Sequence, residues 1–136
     1  MRYLLDTNTL IYALNARQQH RAVLDRFNRE DPRDLFASAV TLAELRYGAE
    51  KSRRREANLA KIERVALALN IAPFEAQAAA AYGSLRAELE RAGAPIGPLD
   101  TLIAAHALSL GMTLITANAR EFSRVRGLRS ESWLPA

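Results

Sequence analysis

The amino-acid sequence predicts an α/β fold, with a central parallel sheet of four to five strands and helices on both faces. Three observations carry that expectation. Short apolar runs recur at residues 1–5, 35–40, 70–74 and 113–116, each of a length that suits a buried strand. Longer stretches with helical spacing separate them. No internal repeat, linker or low-complexity tract breaks the alternation, and 136 residues is the size of one domain, so residues 1–136 read as a single unit.

Each element follows from its residues. Met1 to Leu5 is apolar and closes on Asp6, after which Thr7-Asn8-Thr9 leads into a short helix over Leu10-Ile11-Tyr12-Ala13-Leu14. His20 to Arg29 reads as a second helix, with Val23, Leu24 and Phe27 on one face. Asp31-Pro32-Arg33-Asp34 is a turn, Leu35 to Val40 a second strand, and Thr41 to Ala49 a helix. The densest charge cluster, Lys51-Ser52-Arg53-Arg54-Arg55-Glu56, precedes an amphipathic helix from Asn58 to Leu69. Leu59, Ile62, Val65, Ala66 and Leu69 form its inner face. Asn70 to Phe74 is a third strand, and Glu75 to Ala92 a long Ala-rich helix ended by Gly93. Gly97-Pro98 breaks the chain before a helix from Asp100 to Leu110, which Gly111 stops. Thr113 to Thr116 is the fourth strand, and Arg129 to Trp133 adds an edge strand.

Composition narrows the chemistry. A hydrophobic content of 49% with 25% charged residues belongs to a globular chain rather than a disordered one. There is no cysteine, which excludes disulfides, thiolate nucleophiles and Cys-based zinc sites. The two histidines, His20 and His106, share no ligand spacing, so a bound metal must be held mainly by oxygen. The net charge of +4, mostly from Arg, fits a polyanionic partner such as nucleic acid. No apolar run approaches the roughly 20 residues that span a bilayer. The first residues are strand-like and lack the apolar core of a signal peptide, so a soluble cytoplasmic protein is expected.

Asp6, Glu44, Asp100 and the Thr116-Ala117-Asn118 turn with Glu121 read as one acidic cup. In a parallel sheet the strand C-termini share one edge, and ligands bind there. Asp6 and Asn118 sit on that edge by sequence position, and Glu44 lies one helical turn beyond the second strand. Asp100 starts a helix that the fold must bring across. Each residue also has a capping explanation: Asp6 and Asp100 as N-caps, Thr41 with Glu44 as a capping box, Asn118 with Glu121 as a similar device. Together they point to one or two Mg²⁺ or Mn²⁺ ions and to attack of water on a phosphodiester. Asp6 and Asp100 are the direct ligands in this reading; Glu44 ligates through water or positions the attacking water. Asn8 and Thr116 supply neutral polar groups that orient carboxylates or substrate.

On those residues the chain resembles the PIN-domain ribonucleases, and among them the VapC-type toxins of bacterial toxin–antitoxin pairs. Four segments carry the resemblance: Leu4-Leu5-Asp6-Thr7-Asn8, Ala39 to Gly48, Ile96 to His106, and Leu114 to Phe122. It implies a PIN-like three-layer α/β/α fold, magnesium-dependent endoribonuclease activity, and a cognate VapB-type antitoxin that blocks the site. Family metal ligands map onto Asp6 and Asp100, and the acid of the second motif onto Glu44. Many relatives place a fourth acid where this chain has Asn118, and Glu121 is near enough in sequence to contribute. Gly-Pro-x-Asp with Thr-x-Asn-x-Arg-Glu-Phe resembles the subgroup that cuts initiator tRNA. A homodimer, common among such toxins, is expected with a seam over Ala76 to Ala81, which otherwise packs on the sheet.

Arg120, Arg124 and Arg126 follow the Asn118 turn and are the best-placed side chains to grip an RNA backbone, with Arg129 beyond them. Lys51, Arg53, Arg54, Arg55, Lys61 and Arg64 form either a second grip or a solvated surface. His106, off the face of Asp100, reads as a packing or surface residue; Tyr12, Tyr47 and Trp133 are able to stack on bases but read better as core or edge packing. Two alternatives compete with the nuclease. Asp6-Thr7-Asn8-Thr9 imitates the haloacid-dehalogenase motif but lacks its second acid, and a non-catalytic RNA or protein interaction module would not need Asp6, Glu44 and Asp100.

Overall fold

The computed structural model describes residues 1–15 and 17–135. Five strands form one sheet: β1 (Tyr3–Leu5), β2 (Leu35–Ser38), β3 (Asn70–Ala72), β4 (Thr113–Ile115) and β5 (Ser130–Glu131). Their order across the sheet is β3-β2-β1-β4-β5, and every pairing is parallel. Seven helices surround it: α1 (Thr7–Asn15), α2 (Arg21–Arg29), α3 (Ala39–Glu50), α4 (Arg55–Ala68), α5 (Ala76–Arg91), α6 (Pro98–Leu110) and α7 (Ala119–Phe122).

Alternation along the strands creates the three layers. Tyr3 and Leu5 face one core with Leu10, Val23, Leu45 and Ile62, beneath α1 to α4. Leu4 faces the other, with Leu85, Leu89, Ile103 and Phe122 from α5, α6 and α7. Ile115 and Leu114 divide in the same way. Because both faces are covered, the central strands read as continuous apolar runs rather than alternating ones.

Three boundaries next to the candidate site differ from those expected, and farther off α4 starts at Arg55 rather than Asn58 and β3 ends at Ala72 rather than Phe74. The second strand ends at Ser38, not Val40, because the Ser38 hydroxyl accepts a hydrogen bond from Val40 N–H at 3.0 Å and caps α3. α1 begins at Thr7, directly after Asp6, so Thr7-Asn8-Thr9 is its first turn rather than a lead-in. α6 begins at Pro98, whose fixed φ and missing N–H suit a first helical position. It ends at Gly111, which takes the left-handed conformation (φ 65°). In the alanine stretch, Ala78 is buried and Ala81 packs with Leu85 and Leu89 against Ile103, Ala104 and Ala107. Ala76, Gln77, Ala79 and Ala80 are exposed, so packing on α6 takes up only part of the stretch. Among the described residues, no helix is long and apolar enough to cross a membrane.

Candidate active site

Parallel strands deliver their C-terminal ends to one edge, and the site is built there. Asp6 follows β1 immediately, and its N–H donates to the Ile115 carbonyl at 2.9 Å, so the register with β4 fixes its backbone. Its Oδ1 accepts from Thr9 N–H at 2.9 Å. Asp6 therefore caps α1 and stays a candidate ligand, because a carboxylate has further lone pairs to offer. It is buried at the sheet edge.

Glu44 projects from α3, half-buried, and accepts from the Thr7 hydroxyl at 2.8 Å. The capping-box expectation for Thr41 and Glu44 is wrong. Ser38 holds the cap, Glu44 reaches Thr7 on α1 instead, and the fully buried Thr41 Oγ1 has no hydrogen-bond partner. Asp100 is in the first turn of α6 but does not cap it; Gly97 occupies the N-cap position. A Cβ at Gly97 would come to 3.6 Å from Asp100 Oδ2, so glycine keeps that flank of the carboxylate open.

The fourth corner differs most from expectation. Thr116, fully buried after β4, accepts from Asn118 N–H at 2.9 Å through its hydroxyl oxygen. Asn118 makes no capping bond with its side chain; its amide donates to Glu121 Oε2 at 2.5 Å. Glu121 is the carboxylate that acts most strongly on Asp100. Burial raises the pKa of Asp100 above the ordinary carboxylate range, and the charges of Glu121, Asp6 and Glu44 raise it further, in that order. Glu121 brings the fourth negative charge beside the neutral Asn118, which donates to it. The sequence signal was an Asn at an acidic position with a Glu one helical turn later, the spacing that puts both on one side.

The charges of Glu121, Asp6 and Glu44 act on Asp100 with no basic counterpart. Among the described residues, no Lys or Arg forms an ion pair with any of them. Nor do three Asp, Glu or His side chains converge there into a finished metal cage. The cup is thus a shared field of oxygens rather than a closed ligand sphere, with one oxygen each of Asp6, Glu44 and Glu121 already engaged by Thr9, Thr7 and Asn118. An all-oxygen donor set under like-charge repulsion fits a hard divalent cation.

Other expected residues scatter. Asn8 is exposed and borders, with Thr7, Glu44, Tyr47, Lys51 and Lys61, a groove of about 500 Å³ between α1, α3 and α4. Tyr47 is 66% exposed, so the packing expectation fails for it; Lys51 Nζ lies 4.7 Å from its ring centroid. Trp133 is buried edge-on to Tyr3, and Tyr12 stacks on His20, as packing residues do. Arg120, just before Glu121 in the chain, and Arg124 and Arg126, after it, are exposed. Arg124 donates to the Pro95 carbonyl at 3.2 Å, and Arg55 is neutralised by Glu50 and Glu56. His106 is buried outside the cup.

The PIN domain family model matches residues 3–128. A tRNA(fMet)-specific endonuclease VapC of Salmonella typhimurium is 44% identical over 133 residues, covering 98% of each chain. Ribonuclease VapC2 of Haemophilus influenzae is 43% identical over 134 residues, 98% of this chain and 99% of its own length. The crystal structure of DNA-bound VapBC from Salmonella typhimurium contains a chain that superposes with a TM-score of 0.90 at 42% identity, covering 98% of both.

Proposed function

From the premise that this chain belongs to the PIN-domain family, within its VapC-type ribonucleases, we propose that it is a Mg²⁺-dependent endoribonuclease acting on tRNA, with initiator tRNA as its target. The observation that carries the reading is that Asp6 at the end of β1, Glu44 on α3 and Glu121 on α7 are brought to Asp100 at one sheet edge with no basic partner among the described residues, where burial and then their charges raise its pKa. Side chains that oppose one another this way serve a charge that comes from outside the chain.

Asp6, Asp100, Glu44 and Glu121 are the residues that would hold the cation. A bound divalent ion supplies Lewis acidity toward the phosphate and acidifies water at neutral pH, and Mg²⁺ suits an oxygen-only set. The protein's own work is placement. The β1–β4 register fixes Asp6, Thr7 orients Glu44, and Asn118 orients Glu121. Arg120 and Arg126, both exposed and close to Glu121 in sequence, contact the RNA backbone and set its path without reading sequence. The haloacid-dehalogenase alternative needed a second acid beside Asp6, but that place holds Asn8, exposed on the first turn of α1.

The relatives described as VapBC pair a toxin with an antitoxin, and this chain pairs likewise with a VapB-type partner. The groove that opens at Glu44 gives an amphipathic segment of that partner an apolar floor of Ile11, Leu45 and Ile62. A basic side chain at the segment's end would meet the carboxylates and take the cation's place.

Incubating the purified protein with total RNA, with and without Mg²⁺, and mapping the new ends tests the reading. Cleavage only with Mg²⁺, concentrated in initiator tRNA and abolished in Asp6→Asn, is the expected result. Total RNA left intact with both Mg²⁺ and Mn²⁺ would overturn it.

A further inference from the structure

We propose that His106 is a positioning residue for this site: a hydrogen-bonded brace that sets the Asp100 helix against the start of the Glu44 helix. The inference rests on the reading of the carboxylate cup given above.

His106 lies on α6, six residues after Asp100, and is 1% exposed. Its Nδ1 is 2.9 Å from Ser38 Oγ, and its Nε2 is 3.1 Å from the Pro73 carbonyl oxygen. Ser38 is itself fully buried and is the N-cap of α3, six residues before Glu44. Among the described residues, this is the hydrogen bond that joins α6 to the beginning of α3.

The bonding pattern has one consistent arrangement. A carbonyl oxygen only accepts, so Nε2 carries the ring proton and donates to Pro73. Nδ1 then presents a lone pair, and the Ser38 hydroxyl donates to it. The same Ser38 oxygen accepts from Val40 N–H, which leaves each of these groups with a distinct role. Burial holds the imidazole below the ordinary histidine range and favours the singly protonated ring. Phe74 closes the niche edge-on, with centroids 5.1 Å apart. Buried imidazole nitrogens need partners, and here both partners lie on other elements, so satisfying the ring also ties those elements to α6.

The lever arms explain the consequence. Six residues of helix are about 9 Å, so a small rotation of α3 about its capped end swings Glu44 relative to Asp100 by more than ligand geometry tolerates. Thr7 fixes the Glu44 carboxylate to α1. The His106–Ser38 bond fixes the helix that carries it to α6.

Three variants separate the two ring nitrogens. His106→Asn keeps an acceptor where Nδ1 stood, His106→Gln keeps a donor where Nε2 stood, and His106→Phe keeps only the ring. Mn²⁺ affinity of the purified full chain, with kcat and KM on RNA, is the readout, because a packing role alone would move stability and leave these unchanged. In His106→Gln and His106→Phe, Mn²⁺ affinity and kcat fall about tenfold with KM unchanged, as loss of a residue supporting metal ligands does. His106→Asn stays within about threefold, a small part of that loss. Ser38→Ala combined with His106→Phe weakens Mn²⁺ binding no more than Ser38→Ala alone, because both remove one link.

Wild-type Mn²⁺ affinity in all three single variants, or His106→Asn as damaged as His106→Phe, would overturn the proposal and leave the site reading intact. If His106→Phe does not fold, the contrast between His106→Asn and His106→Gln decides. A wild-type protein that binds no Mn²⁺ would sink the site reading, and this proposal with it.

Discussion

The two edges of the sheet treat charge in opposite ways. At the C-terminal edge, Asp6, Glu44, Asp100 and Glu121 press on one another without a basic partner, and Asp100 is harder to ionise than an ordinary carboxylate. Before the N-terminal end of β2, Asp31 accepts from the Arg33 guanidinium and from Arg33 N–H at 2.7–3.2 Å. That pairing with Arg33 lowers its pKa to about 2. Nearby, the Asn70 amide donates to the carbonyls of Pro32, Arg33 and Leu35, which ties β3 to the turn before β2. Asp31 comes with its counter-charge, whereas the carboxylates of the cup have hydrogen-bond donors but no basic partner.

The most forceful way to break this contrast is Asp100→Asn. RNA cleavage should fall at least about a hundredfold, since the proposed ligand for the cation is lost. Stability should move the other way, with Tm in metal-free buffer rising by about 1–3 °C as repulsion is relieved. The sign has a pH signature. A carboxylate with a raised folded-state pKa contributes stability that is present below its unfolded pKa and lost as pH rises through the folded value. The advantage of Asp100→Asn should therefore open between acid and neutral pH and vanish in strong acid. A variant that loses both activity and stability would mean Asp100 is structural.

Thr7→Val comes next. It keeps the shape of the side chain but removes the donor to Glu44 Oε1. A drop in kcat of about tenfold with KM nearly constant is expected, and Thr7→Ser should restore it. Equal activity in Thr7→Val would show that Glu44 needs no external anchor.

How much of this was legible in the sequence depends on what each residue answers to. The strands were legible because burial on both faces leaves only short apolar runs, and Leu4 and Leu5 serve opposite cores. Asp6 was legible because it ends a strand, where topology alone fixes its edge. The local caps were less so. Ser38, Thr41 and Glu44 all suit a helix start, and only tertiary contacts decide that Ser38 caps while Glu44 bonds to Thr7, 37 residues away in sequence. His106 was read as a packing or surface residue because neither of its partners, Ser38 and Pro73, is near it in sequence. The rank of Glu121 over Asn118 depended on a side-chain contact that spacing permits but does not require.

At the opposite edge the expected effects are on stability alone. Asn70→Ala removes an amide shared among three carbonyls and should cost about 1–2 kcal/mol of stability, with cleavage unchanged. Denaturant unfolding alongside the RNA assay checks both halves.

The smallest effect is expected from Asp31→Asn, and it tests the comparison from its quiet side. The pair with Arg33 has ideal bidentate form, yet the Arg33 side chain is 89% exposed, so water and salt compete for both charges. Tm near neutral pH should stay within about 1 °C of wild type, and cleavage should not change. The lowered pKa puts any contribution in a defined window: present above the unfolded carboxylate value and lost as pH falls toward about 2. Wild type and Asp31→Asn should therefore converge in acid. A large loss at neutral pH that survives high salt would show that the paired edge is strained as well, and that unpaired charge alone does not mark the working edge.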